Sequence, residues 1–146
     1  MCLPLCLLSL NPTVRVKAAM NRKMITLDKG LSVKSAIKLM VKKNIGSVVI
    51  TENSSNNPVG IITERDILKS IAYRRVRPEI TKIEEIMSTP IMSVEQDATL
   101  GDAAQMMIKK NIRRLLVKQD NKYVGIITQR DLQKLMTDTI RALLIV

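Results

Sequence analysis

A chain of 146 residues, 46% of them hydrophobic, can bury the core of one compact unit or of two very small ones that share it, which excludes wholesale disorder. Histidine is absent, and with it go the usual general base at neutral pH, the Ser-His and Cys-His nucleophile pairs and the commonest metal ligand. The net charge of +11 favours anions (nucleotides, nucleic acid or an acidic protein surface) without choosing among them.

The opening "MCLPLCLLSL" is apolar but too short to span a bilayer. It has no basic leader and no small-residue cleavage site, so the expectation is a cytoplasmic protein with no membrane partner, for which Met20 is an alternative start. Cys2 and Cys6 have no second cysteine pair or histidine to complete a zinc site, and they read as small apolar residues. With no Phe or Trp, two Tyr and nine Met, the core must be aliphatic and deformable.

From Met20 onward the chain is written twice. "AIKLMVKKNI" from Ala36 aligns without a gap on "AAQMMIKKNI" from Ala103, and the register holds upstream to Met20 over Met87. In each copy a short segment suited to a strand comes first, "MITL" from Met24 and "IMSV" from Ile91. A capping residue, Ser32 or Thr99, then opens an amphipathic helix. Val33, Ala36, Ile37, Met40 and Val41 share one face of the first, and Leu100, Ala103, Ala104, Met107 and Ile108 repeat the layout in the second.

Apolar runs "SVVIT" from Ser47 and "RLLV" from Arg114 read as buried strands. A polar loop, longer in the first copy, leads to "VGII", completing a hairpin. A second helix starts at Thr63 or Thr128, with Ile67, Leu68 and Ile71, or Leu132, Leu135 and Met136, on its apolar side. The charged connection from Tyr73 carries Pro78, which ends the preceding helix. The fold class is therefore α/β, two β-α-β-β-α repeats, each too small to bury much surface alone and so expected to pack on the other.

Each copy ends in a strand-to-helix turn of the same wording, "GIITERD" at Gly60 and "GIITQRD" at Gly125. Together with the preceding short strands and "KKNI", this doubled turn resembles the tandem cystathionine-β-synthase (CBS) domain, or Bateman module, from about Val14 to Thr137. The corresponding division is an N-terminal extension at 1–13, repeats at 14–73 and 81–137, a linker at 74–80 and a tail at 138–146. The resemblance implies pseudo-two-fold symmetry, a homodimer, and a regulatory module whose two clefts take adenine nucleotides or, in some members, S-adenosylmethionine or no ligand.

Thr63 with Asp66, and Thr128 with Asp131, admit two readings. A threonine followed three residues later by a carboxylate caps a helix and complements its dipole. The resemblance implies that each aspartate also accepts hydrogen bonds from the hydroxyls of a ribose. It further implies that one cleft combines Thr63 and Asp66 with Met92, Ile112, Arg113 and Arg114, and the other combines Thr128 and Asp131 with Lys23, Ile25, Ile45, Gly46 and Ser47. The resemblance also implies basic residues against a phosphate at the place of Arg113 and Arg114, whose guanidinium groups suit phosphate oxygens, where the first copy has Gly46 and Ser47; the alternative is that they belong to the basic surface that also carries Lys109 and Lys110. A phosphorylated adenosine is thus expected to prefer the cleft of Asp66.

No nucleophile-base pair, metal cluster or glycine-rich phosphate loop is readable, so no catalytic residue, metal or cofactor is expected beyond the regulatory adenine nucleotide. The effect of ligand would pass to a separate regulated protein. Nucleic-acid binding, suggested by the charge and by "YRRVR", lacks a helix-turn-helix, zinc finger or aromatic stacking platform and is the second reading.

Overall fold

A computed structural model describes residues 14–53 and 57–144 of the chain. The N-terminal extension with Cys2 and Cys6, and the centre of the first hairpin loop, lie outside them. The described residues form two compact units, one within 24–91 and the other of residues 92–144 together with residues 14–23.

In the first unit, β1 (Thr26–Asp28), β2 (Ser47–Thr51) and β3 (Pro58–Thr63) form a sheet in that order, with α1 (Val33–Lys43) and α2 (Glu64–Arg74). Strand β1 runs parallel to β2, as the intervening helix requires, and β2 and β3 form an antiparallel hairpin. The second unit repeats this with β4 (Ser93–Glu95), α3 (Leu100–Lys110), β5 (Arg114–Gln119), β6 (Lys122–Thr128) and α4 (Gln129–Leu144). The leading strands start two residues later than "MITL" and "IMSV" predict. The last helix continues through the residues expected to form a tail, as far as Leu144.

Local chemistry explains these elements. Ser32 and Thr99 cap α1 and α3 as expected, their side chains accepting from the backbone N–H of Ser35 and Asp102. In return Asp102 Oδ2 accepts from Thr99 N, and the Thr99 backbone and side-chain bonds hold its carboxyl below the usual carboxylate range. The asparagine of each "KKNI" is a left-handed C-cap, Asn44 and Asn111 both at φ 51°, a conformation that asparagine tolerates better than most residues. Helix α2 stops at a left-handed Arg75, before Pro78 is reached, so the proline follows the helix end rather than causing it.

Helix faces are narrower than the apolar pattern predicts. Val33, Ala36 and Met40 are buried, but Val41 is 77% exposed, as is its counterpart Ile108 at 81%. At 3.6 residues per turn Val41 lies about 80° round the helix from Val33, beyond the strip that touches the sheet. For the same reason Ile67 is buried while Leu68, one residue on, is 68% exposed, and Ile71 and Met136 are also exposed.

The segments that close the two cores are exchanged relative to sequence order. Val16 is fully buried with Leu100, Ala103, Leu115, Val117 and Ile127 in the second unit, although it precedes the whole first copy. Its counterpart Ile83 is fully buried with Val33, Ala36, Ile50 and Ile62 in the first. Backbone bonds fix both segments: Val16 N donates to Ala98 O at 2.8 Å, and Leu100 N to Val14 O at 2.9 Å. In the first unit, Val33 N donates to Thr81 O at 2.8 Å and Ile83 N to Leu31 O at 2.9 Å.

Each closing segment then crosses the repeated "VGII" strand, pairing Ser88 with Ile61 and Asn21 with Ile126. That crossing explains the glycine in the motif. A Cβ on Gly125 would lie 2.8 Å from the carbonyl oxygen of Asn21, and one on Gly60 would lie 2.7 Å from the thioether sulfur of Met87. The obstacle at Gly125 is backbone, whereas at Gly60 it is mainly the end of a flexible side chain. Gly125→Ala is therefore expected to cost about 1–3 kcal/mol in chemical denaturation, and Gly60→Ala less. Wild-type stability for Gly125→Ala would show that the crossing segment yields freely.

Candidate functional site

The doubled turn places a threonine at the end of a sheet strand and a carboxylate in the first turn of the following helix. In the first unit Thr63 Oγ1 accepts from Asp66 N at 3.1 Å, and Asp66 Oδ2 accepts from both Thr63 N and Thr63 Oγ1, each at 2.9 Å. In the second unit Asp131 Oδ2 accepts from Thr128 N at 2.8 Å and from Thr128 Oγ1 at 2.9 Å, and Asp131 N donates to Thr128 Oγ1 at 3.2 Å. The capping reading of the motif is therefore realised in both copies, and it engages the same oxygen, Oδ2, of each aspartate. The other oxygen, Oδ1, takes no part in the cap.

The two Oδ1 atoms are not equivalent. Ser88 Oγ donates to Asp66 Oδ1 at 3.0 Å. The matching position in the second unit is Asn21, whose side-chain oxygen accepts from Lys23 N at 2.9 Å instead. Among the described residues, the bonds given to the Asp131 carboxylate fall on Oδ2 alone. Sequence reasoning did not single out Ser88. The only signal was its place beside Met87 in the repeat register, where the other copy has an asparagine.

The other site residues are placed by the sheets. Ile25 and Met92 each stand immediately before a leading strand, where Ile25 O accepts from Val49 N and Met92 O from Leu116 N, both at 3.0 Å. Ile45 and Ile112 follow the asparagine caps, each donating its N–H back to a helix carbonyl at 3.0 Å. Ser47 pairs with Thr63, and Gly46 O accepts from Glu64 N at 3.1 Å. Arg114 pairs with Thr128, and Arg113 O accepts from Gln129 N at 2.8 Å. Arg113 is exposed and Arg114 half-buried.

One unit thus brings together Ile25, Ile45, Gly46, Ser47, Thr63 and Asp66. The other holds Lys23, Met92, Ile112, Arg113, Arg114, Thr128 and Asp131, so each grouping expected from the sequence draws on both units. Among the described residues there is no cluster of acidic, cysteine or histidine side chains fit to hold a metal ion, and no helix long and apolar enough to cross a membrane.

The chain is similar to known proteins in sequence and in fold. An uncharacterized protein of Methanopyrus kandleri is 40% identical over 94 residues, covering 64% of this chain and 47% of that protein, so the chain spans about half the length of this relative. An uncharacterized conserved protein of Pyrococcus horikoshii superposes with a TM-score of 0.79 at 26% identity, over 85% of this chain and 92% of the other. A CBS domain pair crystallised in complex with 5′-methylthioadenosine and S-adenosyl-L-methionine gives a TM-score of 0.77 at 31% identity, over 87% of this chain and 98% of that one. The CBS domain model matches residues 16–73 and again residues 83–138. With two β-α-β-β-α copies, a Thr-x-x-Asp turn in each and a family match over both, the chain belongs to the CBS domain family and is a CBS pair.

Proposed function

We propose that this CBS pair is a ligand-sensing regulatory module that binds an adenine nucleotide of the AMP, ADP or ATP class and passes the binding event to a separate protein. The observation that carries the reading is the pair of aspartates, each held by its own threonine so that Oδ2 is occupied and Oδ1 is directed to other donors. A carboxylate oriented in this way suits the hydroxyls of a ribose. Arg113 and Arg114 supply the cationic partners for phosphate, and Met92 and Ile25 the apolar contacts for a base, in a chain almost devoid of aromatic rings. In the proposal the module works as a homodimer in the cytoplasm, and its role is binding rather than catalysis.

S-adenosylmethionine or methylthioadenosine is the second reading, favoured by the 31% identical CBS pair crystallised with both. These ligands carry the same ribose and no phosphate, so they would use the aspartates and give the two arginines no phosphate to meet. A thermal-melt screen with AMP, ADP, ATP, NAD and S-adenosylmethionine separates the readings. The true ligand at a hundred times its dissociation constant stabilises the fold by about 2.7 kcal/mol. No shift with any of them would overturn the proposal, and a salt-sensitive shift of a labelled oligonucleotide would replace it with nucleic-acid binding.

A further inference from the structure

The two aspartates differ in how much acceptor capacity they keep. An ionised carboxylate offers about four acceptor sites. At Asp131 the two capping bonds fall on Oδ2, which leaves Oδ1 for an incoming pair of donors. At Asp66 the same two bonds are present, and Ser88 Oγ takes up Oδ1 as well. A vicinal diol presents two O–H donors. Asp131 can receive both on Oδ1, whereas Asp66 can receive both only after the serine hydroxyl has turned away.

Ser88 is not placed there by chance rotation of an unconstrained loop. Its N–H donates to Ile61 O at 2.8 Å and its carbonyl accepts from Ile61 N at 3.2 Å, so the residue is clamped to the strand that ends at Thr63. Gly60 lies directly beneath, where a Cβ would come within 3.1 Å of Ser88 O. The hydroxyl is exposed to solvent yet held at hydrogen-bond distance from the carboxylate. In the other copy the equivalent clamp carries Asn21, whose side chain is turned to Lys23.

We infer that Ser88 is a specificity-determining residue: it competes with the ligand's diol for Asp66, so that the two aspartates rank as a tighter diol acceptor, Asp131, and a weaker one, Asp66. This rests on the proposed ribose role of both aspartates. Adenosine is the right probe, because without a phosphate it reports the diol alone. Removing the competing hydroxyl with Ser88→Ala restores the acceptor site and should tighten binding at Asp66 about tenfold, the worth of one hydrogen bond to a charged group.

The test is titration calorimetry with adenosine on the full chain, comparing Asp131→Ala with the double variant Asp131→Ala/Ser88→Ala. The expected result is about tenfold tighter binding in the double variant, with the gain lost for 2′,3′-dideoxyadenosine and absent from Ser88→Thr, which keeps a hydroxyl. Equal affinity for adenosine in the two Ala variants would overturn the inference while leaving the ribose role of the aspartates standing. Absence of heat from adenosine and from AMP in the wild type and every variant would instead overturn the ligand-sensing reading itself. Ser88 is exposed and Thr63 keeps its capping bonds, so a melting curve close to that of the wild type is expected for Ser88→Ala and serves as the folding control.

Discussion

Val16→Asp is expected to unfold the second unit selectively, even though residue 16 precedes the whole of the first copy. The side chain is fully buried in a hydrophobic cluster with Leu100, Ala103, Leu115, Val117 and Ile127. An unpaired carboxylate there costs on the order of 3–5 kcal/mol, a large share of the roughly 5–15 kcal/mol that stabilises a domain. Hydrogen exchange read by mass spectrometry should show lost protection across Leu100–Lys110 and Arg114–Thr128, with Val33–Thr51 much less affected. The mirror substitution, Ile83→Asp, should reverse the pattern. Ala18→Asp, at an exposed position two residues away from Val16, should leave both intact. Loss of protection in the first unit alone after Val16→Asp would refute the exchange of closing segments.

Removing both guanidinium groups is the second large effect. In the double variant Arg113→Ala/Arg114→Ala, AMP binding is expected to weaken about a hundredfold, from two charge-assisted bonds worth about 1.5–3 kcal/mol each, less what solvent at the exposed Arg113 takes back. Adenosine should be nearly unaffected, because on the proposed reading its diol goes to the aspartates and it carries no phosphate for the arginines to meet. Parallel calorimetric titrations of AMP and adenosine measure the difference, and the AMP affinity should fall further as salt is raised. An equal loss for both ligands would mean that the arginines support the fold of the β5 entrance rather than meet a phosphate. Unchanged AMP affinity would remove them from the site altogether.

Much of this was legible in the sequence because the physics involved is local. A serine or threonine three residues before a backbone donor specifies a cap, and Ser32, Thr63, Thr99 and Thr128 all stand where that rule puts them. The continuous apolar runs at Val48–Ile50 and Leu115–Val117 are buried at every residue, as central strands in an α/β sheet require. The width of a helix's buried strip was less legible, since Val41 and Ile108 satisfy the apolar pattern and still face outward. The pattern records residue type, while burial depends on how far round the helix each residue lies from the strip that meets the sheet.

Two further features depend on partners distant in the chain. The repeat register shows that Val16 and Ile83 are equivalent, yet it is silent on which copy each one enters, because either assignment buries the same apolar residue. The bond from Ser88 to Asp66 spans 22 residues and joins two side chains that no local motif links. A serine in place of Asn21 would have read the same in any periodicity argument. Only the close crossing over Gly60 makes its hydroxyl consequential.

The exchange of closing segments also changes what counts as half of this protein. A cut at the charged connection near Pro78, where the sequence invites it, separates each core from the piece that seals it. The first piece would keep α1 and the sheet β1-β2-β3 but lose Ile83 and Ile86, and the second would lose Val16. A cut after Ile91 instead leaves Met24–Ile91 with its own sealing segment in one continuous stretch. The complementary half then exists only as two pieces of chain that must find each other. By this measure the duplicated gene encodes two equal repeats, while the polypeptide folds as one contiguous half and one split half.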